Sequence, residues 1–296
     1  MTETSTDIWA QWLLHRRHGG DTSRLEKTLA RLCPIRDKVL DHVGVTQREL
    51  LLDVGCGDGL IAFGALAMNP TIRVIFSDIS QDLLDHATSL AHQMSVADRC
   101  ECLCASADDL SALGDRSVDA VTVRSVLIYV ADKRRAFQEF ARVLRPGGRL
   151  SIFEPINRFG EPQPAHMFWG FDVTPIVEVA GKVKAVYREI QPLDVDPMMN
   201  FDERDLVAYT EAAGLRSINL HMDAEVKPLS ECEDLELTWD SFMRTAANPK
   251  IPTIEEALAE VLSEKEAAEF IAYMRPLVES KSGTFRLATA YLWARR

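Results

Sequence analysis

A chain of 296 residues is more than one small domain needs, and 47% hydrophobic against 26% charged residues is an ordinary globular balance. A formal net charge of −12, with no block rich in lysine or arginine, repels phosphate backbones, so nucleic acid is not an expected partner. No apolar run is long enough to span a bilayer and Met1 to Asp7 is polar and acidic, which predicts a cytoplasmic protein with no membrane partner and with its six cysteines reduced.

In residues 8 to 18, Trp9, Trp12 and Leu13 fall three and four apart and share one helical face. Two readings stand: a helix packed on the domain, or a lid over a pocket, hinged at Gly19-Gly20. A second helical stretch, Leu25 to Val43, leads into Leu50-Leu51-Leu52-Asp53-Val54, an apolar run ending in an acid. Glycines at 55, 57 and 59 and the apolar segment Leu60 to Met68 follow, which reads as buried strand, tight turn and helix. Such a turn aims the unpaired N–H groups of the new helix at whatever lies above the strand. A second strand, Ile72 to Phe76, ends in Ser77-Asp78, and a carboxylate at that spacing can take both hydroxyls of a ribose lying across the turn. Leu60 stands where a dinucleotide fingerprint needs its third glycine, so a nicotinamide cofactor fits poorly.

The spacing Asp53-x-Gly55-x-Gly57-x-Gly59 resembles motif I of the class I S-adenosylmethionine (SAM)-dependent methyltransferases, and Phe140 to Leu150, with its Pro146-Gly147-Gly148, resembles their signature between the fourth and fifth strands. The likeness is close from Leu50 to Glu154. It implies an α/β fold: a Rossmann-like, seven-stranded, mostly parallel sheet with helices on both faces, here with helical cap insertions. It also implies SAM as cofactor, with contacts at Asp53, Gly55, Cys56, Gly57, Gly59, Asp78, Ile79, Ala107, Asp108, Arg124 and Ser125. In this family an acid at the position of Asp108 accepts from the adenine amino group; the competing reading is a helix N-cap, which also suits Asp109.

Ser80 caps a helix with Leu83, Leu84, Ala87, Leu90, Ala91 and Met94 inward. Cys100, Cys102 and Cys104 then alternate along a third strand, and with no Cys-x-x-Cys and no histidine pair nearby they read as packing residues that bind no metal. The fourth strand, Val118 to Arg124, ends at the cofactor crevice. Asp132 caps the next helix and Pro146-Gly147-Gly148 stops it. Residues 156 to 200 are too long for a plain connection and too apolar for a disordered one. Asp202 caps a helix, Ser217 to Met222 forms strand six, and Thr253-x-x-Glu256 and Ser263-x-x-Glu266 are capping boxes that start two more helices. Phe285 to Trp293 closes the sheet. The expected division is a lid helix (1–20), a cofactor-binding core (21–155), a cap insertion (156–200), core (201–227), a helical cap insertion (228–283) and the last strand (284–296).

Methyl transfer is a direct displacement that needs an aligned acceptor and little else, so no fixed catalytic motif is expected. If the acceptor must lose a proton, the candidates are Tyr129, His15, His18, His166 and Glu154; Tyr129 and Arg124 equally suit the cofactor's methionine end or the acceptor pocket. The expected function is methyl transfer to O, N or C of a small, largely apolar molecule; the alternatives are a non-methylating reaction such as cyclisation on the same fold, or a SAM-binding regulatory module. The apolar stretches Trp9 to Leu14, Phe168 to Phe171 and Trp239 to Phe242 need something to bury against: an acceptor pocket under a mobile cap, or a homodimer interface.

Overall fold

The computed structural model describes residues 7–15, 23–232, 235 and 237–296, with residues 23–28 described by their backbone alone. His18 and the Gly19-Gly20 hinge lie outside the described residues. Strands β1 (Leu50–Val54), β2 (Arg73–Asp78), β3 (Cys100–Cys104), β4 (Val118–Arg124) and β5 (Leu144–Pro155) are parallel, and β9 (Thr284–Arg295) runs antiparallel to β5 and to β8 (Arg216–Pro228). Together they form a seven-stranded sheet of order β3-β2-β1-β4-β5-β9-β8, while β6 (Met167–Phe168) and β7 (Phe171–Asp172) make a separate hairpin. The order turns back between β1 and β4, which opens a crevice at the carboxyl ends of those strands.

Both faces of β1, β2 and β4 are covered, which is why they read as continuous apolar runs. Successive residues of β1 point opposite ways. Leu51 packs with Ile61, Ala65 and Val39 from α3 (Leu60–Met68) and α2 (Ser23–Val43); Leu52 packs with Phe137, Phe140 and Leu206 from α5 (Lys133–Val143) and α7 (Glu203–Ala212). Ser80, Asp132 and Asp202 cap α4 (Gln81–Gln93), α5 and α7 through their side chains, as their positions predict. The boxes at Thr253 and Ser263 open α9 (Ile254–Val261) and α10 (Glu264–Glu279). The two insertions share one core, in which Phe168, Phe171, Phe242 and Phe270 meet Val183 of α6 (Val177–Ile190). No helix among the described residues is long and apolar enough to cross a membrane.

Three expectations need correction. No helix joins β3 to β4: Ser106 to Asp109 is a turn, in which Ser106 Oγ donates to Asp108 Oδ1 and Ser111 N–H to Asp109 Oδ1, so neither acid is a helix cap. Leu110 is held instead by Glu139, whose Oε2 accepts its N–H at 2.9 Å. Cys102 and Cys104 are exposed rather than packed, because β3 is the sheet's edge and α4 covers it only in part. Finally, β8 and β9 run past their expected ends, pairing from Arg216↔Arg295 to Pro228↔Thr284. β8 is exposed along most of its length and is held by its ladder to β9, so hydrophobic alternation could not mark where it ends.

Candidate active site

The turn after β1 is built from left-handed glycines, with φ of +62° at Gly55 and +55° at Gly57. A Cβ on Gly55 would lie 2.3 Å from Val126 Cγ2, so the loop after β4 can close on the turn only over a bare backbone. A Cβ on Gly57 would crowd Leu13 of the opposing helix, with Cδ2 3.1 Å away. Asp78, at the end of β2, accepts the Gly57 N–H on Oδ2 at 2.9 Å and the Ser80 N–H on Oδ1 at 3.0 Å. Those bonds fix the turn against the second strand. Burial raises the Asp78 carboxyl above its usual range, opposed by the N–H groups it accepts.

Asp53 works beneath this surface. Its register partner on β4 is Thr122, whose Oγ1 donates to Asp53 Oδ1 at 2.8 Å, while Oδ2 accepts the Ala62 N–H in the first turn of α3. Burial pushes Asp53 up to about 7, against these bonds and the nearby positive charge of Arg124. The first acid of the glycine motif therefore holds strand to helix and presents no oxygen to a ligand.

Above the turn lies a cavity of about 230 Å³. Its walls carry Gly55, Gly57, Asp78 and Ile79, then Ala105 to Asp108 from the turn after β3, and Arg124, Ser125, Val126 and Tyr129 from the end of β4. The roof is α1 (Ile8–Leu14), which contributes Trp9, Trp12 and Leu13. Helix α1 is pinned at several points. Asp7 caps it and accepts Ser80 Oγ at 2.6 Å, Trp9 meets Tyr129 edge to face at 4.9 Å, and Trp12 Nε1 donates to Ala246 O at 2.9 Å. Its tryptophan face is thus covered within the chain.

The loop from β4 is shaped from below by Glu154, which is wholly buried. Its Oε1 accepts the N–H groups of Val126 and Leu127 at 2.8 and 2.9 Å, and its Oε2 accepts that of Ile128 at 3.3 Å. Burial pushes Glu154 up to about 7 in spite of those donors. Lys133 is buried beside it and brought down to about 8 by the same desolvation. Its Nζ donates to Val130 O, Pro197 O and Asn200 Oδ1, tying the cavity loop to the first insertion.

Gly55, Gly57, Asp78, Ile79, Ala107, Asp108, Arg124 and Ser125 therefore meet in one cavity. Asp53, Cys56 and Gly59 lie under or behind it; Cys56 is buried, and its thiol is pushed up by that burial. Of the candidate proton acceptors, Tyr129 alone lines this cavity among the described residues. His15 is exposed at the C-terminal end of α1, Glu154 serves as a strut, and His166 lines a separate cavity of about 750 Å³ between the insertions and the start of β9. Of the cap's aromatics, Phe168 and Phe270 sink into the cap core, whereas Trp169, Phe171 and Phe242 also face that second cavity. Sequence reasoning missed Lys133, because Lys133-Arg134-Arg135 reads as a solvated run and two of the three partners of its ammonium, Pro197 and Asn200, lie more than sixty residues away. Val126 was missed too; its signal is steric, the bare Gly55 beneath it. Among the described residues no group of His, Cys, Asp or Glu is placed to hold a metal ion.

Residues 52–152 match a family model described as a methyltransferase domain. The ubiquinone/menaquinone biosynthesis C-methyltransferase UbiE of Enterobacter sp. (strain 638) is 30% identical over 182 residues, which cover 60% of this chain and 71% of that protein. A geranyl diphosphate methyltransferase solved in complex with SAM superposes with a TM-score of 0.53 at 18% identity, covering 94% of each chain. The [4+2]-cyclase SpnF superposes with a TM-score of 0.51 at 20% identity, covering 89% of this chain and 81% of that one. At these identities the two solved structures speak for the fold alone.

Proposed function

This chain belongs to the class I SAM-dependent methyltransferases, and we propose that it methylates an O, N or C atom of a small, largely apolar molecule while holding SAM in the cavity under α1. The observation that carries the reading is the meeting of the glycine turn, Asp78, Ala107-Asp108 and Arg124-Ser125 around one space. When bound, SAM supplies an electrophilic methyl on a positively charged sulfonium. Asp78 spends part of its acceptor capacity on the N–H groups of Gly57, Ser80 and Ile79, and we assign the remainder to the ribose hydroxyls. Asp108, oriented by Ser106 in the cavity wall, is the residue we assign to the adenine amino group. Trp9 and Tyr129 close the space against water, which favours transfer over hydrolysis. Where the acceptor carries a proton, we take Tyr129, the one candidate base among the described residues that lines this cavity, as the group to receive it. The net charge of −12 favours a neutral or cationic small molecule over nucleic acid.

The test is SAM affinity. Asp78→Ala is expected to weaken SAM ten- to a hundredfold by calorimetry, since it removes a charge-assisted pair of about 1.5–3 kcal/mol together with the brace on Gly57. Asp78→Asn, which keeps an acceptor for the turn, should lose part of that. Unchanged affinity in a folded Asp78→Ala protein would remove Asp78 from the site. Cyclisation without methyl transfer, or a purely regulatory role, leaves SAM unconsumed, so stoichiometric S-adenosylhomocysteine in a turnover assay separates these from the reading above.

A further inference from the structure

The edge strand of a sheet leaves every second N–H and C=O without a ladder partner, and folds keep such edges short, kinked or guarded. Of the two edges here, β3 is short, at 5 residues. β8 is 13 residues long and is guarded only at its ends, by the register shift between Arg216 and Asn219 and by Lys227-Pro228. Between those guards, from residue 219 to 226, no described residue outside β9 bonds to its main chain. Every residue from Leu220 to Val226 is exposed except Met222, which is partly so. The two faces of this stretch differ. Leu220, Met222 and Ala224 stand beside the buried Leu292, Ala290 and Ala288 of β9 and carry that apolar row out to the edge. There Leu220 is 36% and Val226 52% exposed. The other face carries Asn219, His221, Asp223 and Glu225, with His221 Nε2 2.8 Å from Asp223 Oδ1.

We propose that this edge pairs with the same edge of a second copy of the chain, antiparallel about a twofold axis through Met222. An axis normal to the sheet keeps each face on its own side, so odd positions meet odd and even meet even. Centring on Asp223 would set that carboxylate against its own copy, and centring on Ala224 would set it against Glu225; both are repulsive. Centring on His221 runs the ladder into the bulge between Arg216 and Asn219 after two residues. Met222 at the centre opposes no like charges from residue 219 to 225. Asp223 then lies opposite His221 of the partner subunit, and Glu225 opposite the partner subunit's Asn219, so each carboxylate faces a side chain that can donate to it. On the apolar face Leu220 meets Ala224 of the partner subunit, with the partner's Val226 on the diagonal, which covers both exposed apolar side chains. The pairing is independent of the cofactor cavity and of the reaction carried out there.

The experiment uses the full chain with the exposed thiols removed by Cys102→Ser and Cys104→Ser. In that background Met222→Cys is expected to give a disulfide-linked dimer on oxidation with copper–phenanthroline, since residues facing across the axis lie about 4.5–5.5 Å apart at Cα, within disulfide reach. Asp223→Cys and Ala224→Cys, whose copies lie about 7–8 Å apart or more, should stay largely uncrosslinked. By light scattering, the wild-type mass should rise with concentration from the 33.1 kDa of one chain toward twice that value. Asp223→Lys, an exposed change, should weaken association about tenfold or more, and adding His221→Glu should restore it by reversing the pair. Circular dichroism confirms that each variant remains folded. A wild type that keeps the mass of one chain at high concentration overturns the pairing. Crosslinking at 223 or 224 in preference to 222, or a double variant as weak as Asp223→Lys alone, overturns the register.

Discussion

Glu154→Leu is expected to lower the stability of the folded chain by about 3–6 kcal/mol, read as a shift of the urea midpoint at constant slope, because it strands the buried N–H groups of Val126, Leu127 and Ile128. Each orphaned donor costs about 1–3 kcal/mol, and a domain has only about 5–15 kcal/mol in total. Leucine also leaves Lys133 without the carboxyl that faces it. Glu154→Gln keeps an acceptor for part of the loop and should cost about 1–3 kcal/mol. A Leu variant as stable as the wild type would mean that the loop finds other partners and that Glu154 is no strut.

The same group gives stability a pH dependence with a definite sign. Burial holds Glu154 and Asp53 up at about 7, whereas in the unfolded chain both titrate near 4. Between those values the folded protein keeps protons that the unfolded chain has released, so stability falls as pH rises through that window. Holding Glu154 at about 7 instead of in the usual carboxylate range corresponds to an effect on the order of 3 kcal/mol. Glu154→Gln removes one of the two sites, so its deficit against the wild type should narrow from pH 5 to pH 8. A deficit that stays constant over that range would show the carboxylate to be ionised throughout.

Deleting residues 1–15 is expected to reduce turnover about a hundredfold or more and to weaken SAM about tenfold, while the sheet stays folded. The helix roofs the cavity with Trp9, Trp12 and Leu13, which are part-buried, so each gives up a fraction of the roughly 1.5–3 kcal/mol that full burial of a large apolar side chain is worth. Part of that is contact with the bound cofactor and part is exclusion of water from the sulfonium. Trp9→Leu should reproduce a fraction of the loss, because the 4.9 Å edge-to-face pair with Tyr129 goes with it. S-adenosylhomocysteine release and calorimetry report the two effects separately. Normal turnover by the truncated protein would reduce α1 to a packing element.

Much of this was legible in the chain itself because the signals are local. The turn at Gly55, Gly57 and Gly59 announces itself through residues that alone tolerate its backbone, and all three sit at positive φ. The caps at Ser80, Asp132, Asp202, Thr253 and Ser263 are read within four residues and bond as that spacing requires. Parallel strands buried on both faces advertise themselves as apolar runs. What tertiary structure alone decided is which polar groups face a ligand and which face the protein. Asp53 and Asp78 are the same residue type at the ends of neighbouring strands; one is turned under the helix by Thr122 and Ala62, and the other stands at the cavity wall. Tyr129 and His166, both candidate bases, are sent to different cavities by the path of an insertion that carries no periodic signal. Lys133, Glu154 and Cys102 show the same limit from the other side. Burial depends on what a distant segment covers, and neither composition nor spacing along the chain records which segment will arrive.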